Sequence, residues 1–123
     1  MSKAMVVDDS KAVRLILSRI LREVGYEVCE AANGKEGLAK LAGEEAVSLI
    51  LVDWNMPEMD GLEFLRCVRS DPSKSAVKVM MVTTETEMDR MVTALEAGAN
   101  EYVMKPFTKE IITGKLRLLG LLQ

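Results

Sequence analysis

Val47-Ser48-Leu49-Ile50-Leu51-Val52-Asp53 is the stretch on which the reading of this chain turns. Five of its first six residues are apolar, and the run ends abruptly on a carboxylate and a polar loop. A short, nearly continuous apolar run of this kind fits a strand buried on both faces, as at the centre of a parallel sheet. Ala4-Met5-Val6-Val7 is a second such run, and it too ends on acids, Asp8 and Asp9. If the two runs are neighbouring parallel strands, three carboxylates converge at one edge of the sheet. Like charges about 4 Å apart repel by roughly 4 kcal/mol at a near-surface effective dielectric, so the cluster calls for a compensating cation. Oxygen-only ligation suits Mg²⁺, with Mn²⁺ as the alternative. Such a hard ion keeps several waters and shares its shell with phosphate oxygens. The cluster reads as a place where a phosphoryl group and Mg²⁺ meet a carboxylate.

Outward from these runs, strand-like and helix-like patterns alternate five times. Val13, Ile16, Leu17, Ile20, Leu21 and Val24 form a helical stripe between Ser10 and Val24, closed by Gly25. Tyr26 to Ala31 alternates as a strand, and Asn33-Gly34 turns the chain into a short helix reaching Ala42. After the central strand, a helix spans Gly61 to Arg69 and is broken by Asp71-Pro72. Val77 to Thr84 is the fourth strand, and Thr86 to Ala97 the fourth helix, stopped by Gly98. Glu101 to Met104 is the fifth strand, and Thr108 to Leu119 the last helix. Strict alternation predicts a doubly wound α/β fold, (βα)5, with helices on both faces of a five-stranded parallel sheet. The first, third and fourth strands are apolar throughout and belong at the centre. The second, Tyr26-Glu27-Val28-Cys29-Glu30, mixes charge into its run, and the fifth is short; both read as edges. This is the flavodoxin-like order 2-1-3-4-5, in which ligands sit beyond the carboxyl ends of the strands where the order reverses, between strands 1 and 3. Asp8, Asp9 and Asp53 fall there.

The chain has 123 residues, one domain's worth, with 49% hydrophobic and 28% charged residues, as in a globular protein. Its net charge of −3 and lack of a basic run argue against a nucleic-acid partner. No signal peptide and no run near the ~20 residues of a membrane span is visible, so a cytoplasmic location without membrane insertion is expected. Cys29 and Cys67 form no metal or redox motif and read as packing residues in a reducing compartment. Histidine is absent, which excludes a phosphohistidine donor and histidine-based catalysis.

Thr83 and Thr84 end the fourth strand, and Lys105 ends the fifth, before Pro106. A hydroxyl donates to a phosphoryl oxygen and a lysine neutralises one, so four strand ends offer a nucleophile, a metal site and donors for equatorial oxygens. Each residue alone has a plainer reading: Asp8 or Asp9 as a helix cap, Asp53 as a turn former, Thr83 as a strand residue, Lys105 as a solvated charge. Together they resist it. Trp54 reads as a packing or rim residue beside the site, and Gly61 as a position chosen for backbone geometry. Met88 and Met91 on the fourth helix are candidate surface anchors among mostly core methionines.

Four stretches, Val6-Val7-Asp8-Asp9-Ser10, Val52 through Gly61, Met81-Val82-Thr83-Thr84-Glu85 and Tyr102 through Phe107, resemble response-regulator receiver domains over the full chain. The resemblance is strongest to single-domain chemotaxis regulators of the CheY type. It implies that Asp53 is the phosphoacceptor, that Asp8, Asp9, Asp53 and the backbone carbonyl of Asn55 hold Mg²⁺, and that Thr83 and Lys105 contact the phosphoryl group. It also implies a cis peptide before Pro106, the bond type with the smallest cis penalty. By the same resemblance Tyr102 turns inward as Thr83 shifts, altering the face of the fourth helix, fifth strand and fifth helix, with Met91, Ala99, Tyr102 and Lys115 facing a partner. A histidine kinase would be the phosphodonor and the flagellar motor switch a candidate target, with a phosphatase as a further partner. With residues 1–123 forming one receiver domain, output would come from a separate protein. A phosphate sink or a regulator outside motility would share the same site. Two other classes fit less well. A phosphohydrolase of the haloacid-dehalogenase type places a second acid two residues after its nucleophile, where this chain has Asn55. A flavin-binding module needs a hydroxyl- and glycine-rich loop after the first strand, where this chain has carboxylates.

Overall fold

The computed structural model describes residues 2–43, 47–84 and 88–122. Five strands and five helices alternate: β1 (Lys3–Val7), α1 (Lys11–Glu23), β2 (Glu27–Ala31), α2 (Gly34–Gly43), β3 (Val47–Val52), α3 (Gly61–Ser70), β4 (Lys78–Thr83), α4 (Met88–Glu96), β5 (Glu101–Met104) and α5 (Lys109–Leu118). The strands are parallel in the order β2-β1-β3-β4-β5, the flavodoxin-like arrangement expected. Element ends differ from expectation by a residue or two. A 3₁₀ turn at Pro72–Lys74 was not anticipated; the Asp71 carboxylate caps it by accepting from the Ser73 N–H. The expected start of α4 at Thr86 lies outside the described residues, as does Glu85.

The period-2 geometry of strands sorts the apolar runs onto two faces. Met5, Val7, Ile50, Val52, Val79 and Met81 point toward α2, α3 and α4, where Leu41, Phe64, Leu65, Val68 and Ala94 meet them. Ala4, Val6, Leu49, Leu51, Met80 and Val82 point the other way, onto Leu17, Ile20 and Leu21 of α1 and Ile112 and Leu116 of α5. Both faces of the central strands are therefore dry, which is why those runs carry no polar alternation. At the edge, β2 leaves Glu27 to Glu30 exposed or half-buried. Helix starts are fixed locally: Ser10, Asp60 and Thr108 each accept a backbone N–H three residues on with a side-chain oxygen, satisfying a donor the helix leaves orphaned. Among the described residues, no helix is long and apolar enough to cross a membrane.

Candidate functional site

Parallel pairing of β1 with β3, Val7 opposite Val52, brings the two acidic strand ends side by side. The Asp53 N–H donates to Val7 O (2.9 Å) and the Asp8 N–H to Ala31 O (3.1 Å), so the ladder continues into the site. Asp8, Asp9 and Asp53 present carboxylate oxygens that lie within 4.8 Å of one another. Asp8 and Asp53 are buried and Asp9 is exposed, so the cluster opens to solvent on one side. Lys105, half-buried at the end of β5, reaches across with its Nζ 3.3 Å from Asp8 Oδ2 and 3.5 Å from Asp53 Oδ1. Among the described residues, one ammonium contacts two of the three carboxylates. That imbalance fits a further divalent cation, and an all-oxygen donor set with an open side matches what Mg²⁺ takes.

The Asp53 carboxyl is pushed up from 3.8 to about 6, first by burial and then by the Asp8 charge; Lys105 and the Asn55 N–H act in the opposite sense. It remains mostly ionised at neutral pH, yet poorly solvated. Thr83 is fully buried at the end of β4, and its carbonyl accepts the Lys105 N–H at 2.8 Å, tying β4 to the lysine. The Lys105–Pro106 peptide is cis, as expected. Asn55 is exposed on the loop after Asp53.

Several site features escaped the sequence reasoning. Arg14 on α1 donates to Asp8 O (2.7 Å) and pairs with Glu30 (3.2 Å), holding the β1–α1 loop from beneath. Its place on the helical face toward β2 follows from 3.6 periodicity, but its partners do not. The Ser10 N–H donates to Asp8 Oδ1 at 2.8 Å, so Asp8 is also oriented by the start of α1. A Cβ at Gly61 would stand 2.3 Å from Asp53 O and 2.9 Å from Trp54 Cα. The backbone-geometry role expected of this glycine thus takes the form of a close approach of the chain, and the Gly61 N–H donates to Trp54 O at 2.9 Å. Trp54 is buried, with the Arg90 guanidinium 5.4 Å from its ring centroid.

The surface residues expected to face a partner divide. Met91 is half-buried against the core and Lys115 pairs with Glu101 at 3.0 Å. Ala99 and Tyr102 are buried, at 8% and 5% exposure. Tyr102 thus already lies inward. The side chain of Met88 lies outside the described residues. The apolar groups that do face solvent on these elements are Val92 and Leu95 of α4, Met104 of β5 and Ile111 of α5. Cys29 packs on the core and donates its thiol to Ala4 O at 3.7 Å, Cys67 is exposed, and neither is in a disulfide.

A five-stranded doubly wound sheet with an acidic triad and a lysine at its carboxyl edge defines a receiver domain. The chain belongs to that family: the response regulator receiver domain matches residues 4–117. It is a receiver of the CheY type. The chemotaxis protein CheY1 of Helicobacter pylori is 42% identical over 117 residues, 94% of each chain. A CheY homologue of Campylobacter jejuni is 42% identical over 115 residues, covering 93% of this chain and 88% of that one. Among solved structures, the chemotaxis protein CheY4 of Vibrio cholerae superposes with a TM-score of 0.89 at 36% identity, over 96% of this chain and 98% of that one.

Proposed function

We propose that the protein is a phosphorylation switch of two-component signalling, with Asp53 as phosphoacceptor and a partner histidine kinase as donor. The observation that carries this is the contact of Lys105 with both Asp8 and Asp53 inside a cluster of three carboxylates. A carboxylate flanked by a cation and a metal site is equipped to receive a phosphoryl group. The Asp53 oxygen forms a bond to phosphorus while the P–N bond to the donor imidazole breaks, and the imidazole leaves with the electron pair. Burial keeps the Asp53 carboxylate weakly hydrated and so a better nucleophile, and Lys105 is placed to neutralise charge on the transferring oxygens. Asp8, Asp9, Asp53 and the Asn55 carbonyl would hold Mg²⁺, which when bound neutralises the phosphoryl oxygens. The Thr83 hydroxyl, buried one strand away, is the reader of the new acceptor oxygens.

Output follows from differential contacts in the two states. The surface of α4, β5 and α5, with exposed Val92, Leu95, Met104 and Ile111, is the proposed docking face for a target. The resemblance to chemotaxis proteins favours control of the flagellar motor. The decisive experiment uses a labelled small-molecule phosphodonor with Mg²⁺. Wild-type protein should take up acid-stable label at up to one equivalent, and Asp53→Asn none. Stoichiometric labelling of the variant at the wild-type rate would place the acceptor elsewhere.

A further inference from the structure

We propose that Arg90 is a positioning residue, a catch that ties the first turn of α4 to the loop bearing Asp53 and must release when the switch is thrown. The inference rests on the phosphoacceptor reading of Asp53 and concerns a contact outside the reacting groups.

Among the described residues, helix α4 is held unequally at its two ends. At its base, Arg69 of α3 donates to Gly98 O (2.9 Å) and to Asn100 Oδ1 (2.8 Å). The same Asn100 Oδ1 accepts the Val79 N–H of β4 at 2.8 Å, and the Asn100 N–H returns a bond to Val79 O at 2.8 Å. Ala94 is fully buried just before this stitch. At the other end, Met91 is only half-buried and Val92 is exposed. There the Arg90 guanidinium lies 5.4 Å from the Trp54 ring centroid.

The indole cannot follow the helix. Its residue adjoins Asp53, its ring is buried, and its carbonyl accepts the Gly61 N–H at 2.9 Å in a turn where a Cβ would collide with Asp53 O. A helix pivoting about its stitched base moves most at its far end. Arg90 stands eight residues, about 12 Å of helix rise, from Gly98. A tilt of about 10° carries it roughly 2 Å, past the ~6 Å limit of a cation–π contact. The contact therefore belongs to one position of α4, and it couples that position to the loop that carries Asp53, in parallel with Thr83.

The test compares wild type, Arg90→Ala and Arg90→Lys as full chains. Beryllium fluoride with Mg²⁺, titrated by calorimetry, serves as the phosphoryl mimic. A contact worth about 0.5–1 kcal/mol at such a site opposes the shift, so Arg90→Ala should bind the mimic two- to fivefold more tightly, with Arg90→Lys between. Affinity for Mg²⁺ alone should not change. In a Trp54→Phe background the effect of Arg90→Ala should fall by at least half, which isolates the ring contact from the other contacts of Arg90. Independently of any phosphoryl chemistry, amide exchange at residues 89–92 of the metal-free protein should quicken in Arg90→Ala while residues 97–100 keep their protection. Unchanged or weaker mimic binding would overturn the catch, as would unchanged exchange in the first turn. If wild type bound no beryllium fluoride, the Asp53 reading would fail while the exchange experiment still decided whether Arg90 holds the helix.

Discussion

Asp53 occupies a position that few residues could fill. Its backbone belongs to the sheet ladder, its carbonyl presses against Gly61, and its carboxylate meets Asp8 and Lys105. The glycine is as tightly specified as the acid. Adding a methyl group at Gly61 sets it 2.3 Å from a carbonyl oxygen and 2.9 Å from Trp54 Cα, backbone atoms with no rotamer to relieve the clash. Gly61→Ala should therefore cost about 1–3 kcal/mol in urea denaturation. It should also weaken Mg²⁺ binding measured by Trp54 fluorescence, because the turn between Asp53 and α3 must open. A variant with wild-type stability and wild-type metal affinity would mean that this turn yields without cost. Lys105 shows a second economy at this scale: one ammonium is shared by two buried carboxylates, so its removal would take from both the cation that the described residues supply.

At the scale of elements, helices α1 and α5 cover one face of the sheet and α2, α3 and α4 the other. Within α1, Ser18 is fully buried, and its Oγ is the one buried side-chain polar atom without a hydrogen-bond partner among the described residues. A desolvated hydroxyl in mid-helix costs more than the methyl it would leave behind, and alanine is the better helix former. Ser18→Ala should raise stability by about 0.5–2 kcal/mol in urea titration; a loss of similar size would show that the hydroxyl is satisfied in solution. Elements of this kind were legible because each obeys a local rule. Val47 to Val52 and Ala4 to Val7 lack polar alternation, which two-sided burial demands, and the charges of β2 marked it as an edge. The site acids were legible for the same reason, as residues that end such runs. What stayed hidden depends on single long-range contacts. Arg14 beneath Asp8, Arg69 stitching Gly98 and Asn100, and Arg90 over Trp54 are ordinary helix residues until the tertiary packing is known. The burial of Tyr102 and Ala99 was hidden likewise, because it depends on which helices pack beside β5, and no periodicity encodes that.

For the molecule as a whole, the site is a source of destabilisation, because it buries one carboxylate beside another. The Asp53 carboxyl titrates near 3.8 when unfolded and at about 6 when folded, chiefly through burial and then through Asp8. Between those values the folded chain holds a proton that the unfolded chain has lost, so stability falls as pH rises. The contribution of this group is complete below about pH 3.8 and is lost as pH rises through about 6. Carboxylates at the surface, exposed or half-buried, act in the opposite sense: Glu23 beside Lys109, Glu36 bonded to the Ala32 N–H and Asp71 bonded to Ser73 are held below their ordinary values. They lose stability as pH falls, so the total curve mixes both signs. The difference between wild type and Asp53→Asn removes this background. In metal-free protein the variant should match wild type near pH 4 and become more stable as pH rises, levelling off above about pH 6.5. The plateau should be on the order of 1–3 kcal/mol, since one pKa unit corresponds to about 1.4 kcal/mol and screening at the open side reduces the full value. Saturating Mg²⁺ should shrink the gap at neutral pH, because only the carboxylate form ligates and binding to the folded state adds stability by mass action. Thermal melts of both proteins from pH 4 to 8, with and without Mg²⁺, provide the measurement. A difference between the two proteins that did not vary with pH would show that Asp53 is not held in the strained, half-desolvated state from which the proposed nucleophile draws its reactivity.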